Sequence, residues 1–153
     1  MPKELKIRIA NPAQVERKVI SLGGQFTEEE SARHTYFRQP AGRVLKVIQS
    51  PKGNWLIQFE QQGSGFSRTR KDQLEDASQT LKELTAAHGI ATTLTTRSRT
   101  YTLKGIEFDL YSIDGVGEFL IQTGDDPTPA RFAQLGILDP EYITVPFNEL
   151  SKN

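Results

Sequence analysis

Thr35–Arg38, Arg43–Gln49 and Asn54–Glu60 read as strands, broken at Pro40-Ala41-Gly42 and Ser50-Pro51-Lys52-Gly53. Connections this short join antiparallel neighbours, because a parallel pair needs a crossover of a dozen residues or more. Thr92–Leu103 and Ile106–Ser112 turn in the same way at Lys104-Gly105, and Glu118–Thr123 follows Gly115-Val116-Gly117. At the N-terminus Leu5, Ile7 and Ile9 alternate with Glu4, Lys6 and Arg8, the pattern of a half-buried strand over residues 4–10. Ser67–Lys71 is a further short candidate, whereas Gln61–Phe66 and the run Glu28-Glu29-Glu30 read as solvated loops.

Helices interrupt this series without alternating with it. Asn11 caps a segment that starts on Pro12, carries Val15, Val19 and Leu22 on one stripe and stops at Gly23-Gly24. Gln73–His88 places Leu74, Ala77, Leu81 and Leu84 on one face before Gly89, and a short helix starts after Thr128-Pro129. The expected class is therefore α+β: one domain over residues 1–153, built on a curved antiparallel sheet or barrel flanked by helices.

The 153 residues hold nineteen acidic and nineteen basic side chains, so no net field favours nucleic acid or an anionic membrane. Cysteine is absent and only His34 and His88 are present, which removes thiolate chemistry and histidine-rich metal sites. The opening MPKELKIRIA carries charges inside its apolar run, unlike a secretion signal, and no apolar stretch approaches the roughly 20 residues of a membrane span. A cytoplasmic protein is expected.

The unusual feature is cationic strand faces. Lys6 and Arg8, Arg68 and Arg70, and Arg97 and Arg99 stand two residues apart, and Lys46 lies mid-strand. Side chains at i and i+2 share a face. Solvated outer faces account for such pairs most simply. If the sheet curves so that the faces converge, they line a lumen that needs an anion or paired carboxylates.

These segments, in order, resemble the CYTH family, which includes class IV adenylate cyclases, thiamine triphosphatases and inorganic triphosphatases. Its opening E-x-E-x-K strand looks like Glu4-Leu5-Lys6-Ile7-Arg8, and its Q-x-D-x-Y-F segment like Ala32-Arg33-His34-Thr35-Tyr36-Phe37. Its L-R-I-R, R-x-E-x-E and K-x-R strands look like Leu45–Ile48, Arg68–Asp72 and Arg97–Arg99. Gly117–Thr123 is similar to its G-x-F-x-E-x-E. The resemblance spans about residues 4–150 and implies a closed or nearly closed β tunnel holding a triphosphate-like ligand.

In that family glutamates hold Mg²⁺ or Mn²⁺ while lysines and arginines hold phosphates, a division that suits hard cations and phosphoryl oxygens. Here Lys6, Arg70, Tyr111, Ile121 and Thr123 stand where acids are expected, and His34 replaces an aspartate. The resemblance leaves Glu4 as catalytic candidate and Glu4, Asp72 and Asp109 as metal candidates, with Asp109 two residues from the family position now held by Tyr111. Lys6, Arg8, Lys46, Arg68, Arg70, Arg97 and Arg99 are the phosphate-binding candidates. The expectation is a binder of triphosphate, nucleotide, polyphosphate or another phosphorylated small molecule, with metal-dependent catalysis lost or weak. The alternatives are an active triphosphatase or cyclase using Mg²⁺ or Mn²⁺, and a noncatalytic interaction protein with internal ion pairs.

Overall fold

The computed structural model describes residues 3–150. Nine strands and four helices follow in the order β1 (Lys3–Arg8), α1 (Pro12–Ser21), β2 (Gln25–Phe37), β3 (Arg43–Ser50), β4 (Gly53–Gln62), β5 (Gly65–Gln73), α2 (Ala77–His88), β6 (Ile90–Leu103), β7 (Ile106–Ile113), β8 (Gly117–Gly124), α3 (Pro129–Gln134), β9 (Glu141–Tyr142) and α4 (Phe147–Leu150). The sheet runs β5-β4-β3-β2-β6-β7-β8-β1, with β9 as an extra strand on β1, and β1 also meets β5. That last pairing closes an eight-stranded antiparallel barrel, as the tight turns required. No helix among the described residues is long and apolar enough to cross a membrane.

The barrel explains why so many strands are apolar on both faces. Outward-facing Leu5, Ile7, Tyr101, Leu103, Phe108, Leu110 and Leu120 pack with Val19 of α1 and Phe132 of α3. On another side Phe37, Leu45, Val47 and Leu56 meet Leu74, Leu81 and Leu84 in and beside α2. Each long helix is fixed at its start by a side-chain cap: Asn11 Oδ1 accepts from Gln14 N at 3.1 Å, and Asp76 Oδ1 from Gln79 N at 3.0 Å.

Three expectations change. The helix expected over Gln73–His88 begins at Ala77, because β5 continues through Gln73. The loop expected over Gln61–Phe66 is a tight hairpin between β4 and β5. The acidic run Glu28-Glu29-Glu30 is not a loop but part of β2, a strand of 13 residues paired with β6.

The seam between β1 and β5 is short, with Lys3 opposite Ser67 and Glu4 opposite Phe66. A Cβ on Gly65 would lie 2.9 Å from the Glu4 carbonyl oxygen, a backbone atom with little room to retreat. Gly65→Ala is therefore expected to destabilise the barrel by about 1–3 kcal/mol. Thermal unfolding of the two proteins checks this, and equal melting temperatures would show that the seam has room to spare.

Candidate functional site

Inward-facing side chains enclose a cavity of about 510 Å³ inside the barrel, within the roughly 300–1,000 Å³ of small-molecule sites. It is a cup rather than a through-channel. Along β2 the inward residues pass from exposed Glu28 through half-buried Glu30 to buried His34 and Tyr36. The same gradient runs from Glu107 to Ile113 on β7 and from Thr123 to Phe119 on β8. The far end is filled by apolar side chains, among them Phe119, Leu94, Ile113 and Val44. Phe147 of α4 seals it, with its ring centroid 4.7 Å from Phe119 and 5.4 Å from Tyr111.

Two lysines point into the lower cup. Lys6 is 7% exposed, and its Nζ sits 4.0 Å from the Phe66 ring centroid and 4.1 Å from that of Phe147. Glu4 Oε1 is 3.9 Å away, at the limit of an ion pair. Lys46 is 8% exposed and donates to Tyr36 Oη at 3.4 Å. Among the described residues no carboxylate lies within ion-pair distance of Lys46. Burial lowers the affinity of both amines for protons, against the pull of Glu4, and the neighbouring Lys6 charge helps bring Lys46 down to about 7. His34 lies on the same wall, held neutral first by burial and then by the charges of Lys46 and Lys6.

The upper cup is acidic. Glu28, Glu30, Glu107 and Asp109 face it together with Glu4, and Arg68 and Lys71 stand on the wall as well. Thr100 Oγ1 donates to Asp109 Oδ1 at 2.6 Å. Burial and the neighbouring Glu107 charge push the Asp109 carboxyl well above the usual range. Burial also raises Glu107, partly offset by its hydrogen bond with Asp109. The lumen is thus segregated by charge and not uniformly basic, which corrects the sequence expectation of a cationic tunnel.

Of the sequence candidates, Glu4, Lys6, Lys46, Arg68 and Asp109 reach the cup. Arg70 and Asp72 do not. Phe59 pairs with Arg68 and Gln58 with Arg70, leaving Thr69 as a bulge that reverses the facing of the strand beyond it. Arg70 and Asp72 consequently pair with each other outside, at 2.5 Å, and Lys71 turns inward. Arg97 and Arg99 also face out, because the inward residues of β6 are Thr96, Ser98, Thr100 and Thr102. Arg99 Nε instead binds Glu16 of α1 at 2.6 Å, and Glu16 also accepts from Tyr101 Oη. Arg8 shares the inward face of β1 but lies beyond the seal, over Phe119 and 3.1 Å from Glu141. The residues missed from sequence are Glu28, Glu30, Lys71 and Glu107.

Among the described residues no three acidic or imidazole side chains come together as a metal-ligand group. With Lys6 beside Glu4 and no such group assembled among the described residues, the donors as arranged do not fit Mg²⁺ or Mn²⁺, which require several oxygens around one ion.

The barrel fold recurs among solved structures. The PH1012 protein of Pyrococcus horikoshii OT3 matches with a TM-score of 0.87 at 20% identity, over 98% of this chain and 99% of that one. A candidate adenylate cyclase from Vibrio parahaemolyticus matches with a TM-score of 0.76 at 15% identity, over 99% and 98% of the two chains. A candidate adenylyl cyclase from Hippeastrum, described as having a dominant triphosphatase activity, matches at 0.67 and 13% identity, over 99% and 95%. This is the CYTH triphosphate-tunnel fold. No family model matches the chain, and no curated protein matches it in sequence. On β8 the residues that face the cup include Ile121 and Thr123.

Proposed function

We propose that the protein binds a phosphorylated small anion, such as a triphosphate, a nucleotide or a short polyphosphate, in the cup. Lys6 and Lys46 are its principal phosphate-binding groups, with Arg68 and Lys71 on the wall above. The observation that carries this reading is the pair of buried ammonium groups at the bottom of the cavity, with Glu4 3.9 Å from Lys6 and, among the described residues, no carboxylate within ion-pair distance of Lys46. Buried cations without counter-charge are costly, and an anion in the cup relieves that cost. Arg68 adds a planar fork suited to phosphate oxygens. The neighbours described as cyclase or triphosphatase support the ligand class. The cytoplasm is the expected location, and neither a membrane nor a nucleic acid is proposed as a partner.

Calorimetric titration with inorganic triphosphate, ATP and sulfate tests the reading. Saturable binding of the two triphosphates, far tighter than sulfate, is expected, and Arg97→Ala is expected to leave it unchanged. Three indistinguishable titrations would sink the proposal.

The second reading is a metal-dependent triphosphatase or adenylate cyclase. The carboxylates Glu4, Glu107 and Asp109 on one wall favour it, and their present pairing weighs against it. Phosphate or cyclic nucleotide release with Mg²⁺ or Mn²⁺, abolished by Glu4→Gln, would establish it; silence with both metals would remove it.

A further inference from the structure

Outside the barrel, α1 and the turn Leu135-Gly136-Ile137 face each other across a groove of about 810 Å³. Gln14, Lys18 and Ser21 recur at i, i+4 and i+7, so one face of α1, about 15 Å long, forms a wall of it. Val15 and Ile137 are half-buried there and give the groove an apolar lining. Two exposed leucines continue its walls. Leu22, four residues beyond Lys18, is 39% exposed, and Leu138, next to Ile137, is 83% exposed.

Arg8, Arg17 and Lys18 line the groove, and no acid does. Arg8 has a partner in Glu141 at 3.1 Å. Arg17 and Lys18 are exposed and form no ion pair among the described residues. Glu16, the one acid of α1, is turned towards β6, where it accepts from Arg99 and Tyr101. In a chain with equal numbers of acids and bases, such a local excess comes from arrangement and not from composition.

The occupant has to answer both the charge and the apolar surface. A small anion neutralises Arg17 and Lys18 but leaves Leu22 and Leu138 in water. A flat bilayer does not enter a concave groove. A chain segment with carboxylates beside an apolar side chain satisfies both demands. We propose that this groove docks an acidic peptide segment of a partner protein, its carboxylates meeting Arg17 and Lys18 and its apolar side chain resting on Val15 and Ile137. None of these residues lines the cup, so docking is independent of what the cup binds.

Selection of a displayed random-peptide library on the wild-type protein, with counter-selection on Arg17→Glu/Lys18→Glu, tests this. Enrichment of peptides carrying Asp and Glu around a Leu, Ile or Phe is expected. A synthetic copy of one enriched peptide, followed by fluorescence anisotropy, is expected to bind the charge-reversed variant at least about tenfold more weakly, because like charges then face each other. Leu138→Ser is expected to cost about threefold, and added salt is expected to weaken binding to the wild type. All three side chains are exposed, so both variants should keep the wild-type melting temperature. No enrichment, or peptides that bind the charge-reversed variant equally well, would overturn the proposal. So would binding to phosphatidylserine vesicles in place of peptides, which would make the groove a membrane contact. A dimer in sedimentation velocity that the charge reversal dissociates would overturn it in favour of a second copy of this chain.

Discussion

Lys46→Met is expected to weaken triphosphate binding by about tenfold to a hundredfold, the loss of one hydrogen bond from a charged donor, and to make the empty protein more stable at neutral pH. The two effects have opposite signs because they share a cause. Lys46 is buried beside Lys6 and His34 with Tyr36 as hydrogen-bond partner, and its amine is brought down to about 7. The unfolded chain keeps that proton to about 10.4. Between these values the unfolded state holds more protons, so wild-type stability rises with pH; below about 7 both states are protonated and the penalty of the buried charge is full. Lys6, lowered in the same direction, adds to this slope. Melting temperatures from pH 6 to 10 should therefore climb for the wild type and climb less for Lys46→Met. Ligand binding runs the other way: an anion favours protonated Lys46, so affinity falls and proton uptake grows as pH rises above about 7. Parallel melting curves, or unchanged affinity in the variant, would show that Lys46 is neither strained nor in contact with the ligand.

Phe147→Ala is expected to cost about 3–5 kcal/mol of stability, the usual loss for deleting a buried aromatic ring. Phe147 is 3% exposed and belongs to α4, a single turn whose Leu150 packs against the same core cluster. Its ring packs on Phe119 and Tyr111 and forms one side of the cage around Lys6 Nζ. Removing it opens the sealed end, lets water reach Lys6 and should return that amine towards its ordinary proton affinity. Urea unfolding gives the first quantity and NMR titration of the lysine the second. A loss below about 1 kcal/mol would mean that α4 rests on the barrel without closing it.

The barrel was legible because its turns and outer faces obey local rules. Leu5, Ile7 and Ile9 alternate cleanly, Asn11-Pro12 and Gly89 mark helix ends, and Lys104-Gly105 marks a hairpin. The lumen was less legible because a water-filled cup does not demand apolar residues. Glu28-Glu29-Glu30-Ser31 is polar on both faces, so it imitates a loop although it is strand. The facing of Arg70 depends on the bulge at Thr69, and nothing in the composition of that segment announces one. For β6 a signal was present. Tyr101 and Leu103 share the parity of Arg97 and Arg99, and such apolar residues mark the face covered by α1; the threonines between them mark the cup. The i, i+2 rule correctly grouped each cationic pair but could not choose between inside and outside.

The seam between β1 and β5 also bears on how the molecule comes into being. β1 is made first, yet its long pairing is with β8, where Lys3 meets Gly124 and Arg8 meets Phe119. Its other barrel neighbour, β5, offers a seam of two residue pairs among the described residues. During synthesis the first strand therefore waits, without a partner able to hold it, until nearly the whole barrel has left the ribosome. Loop closure over that span is slow, since distant contacts return nothing until the ends have met. The hairpins from β2 to β5 join near neighbours in sequence, whereas the cup requires β1 to meet β8 across more than a hundred residues.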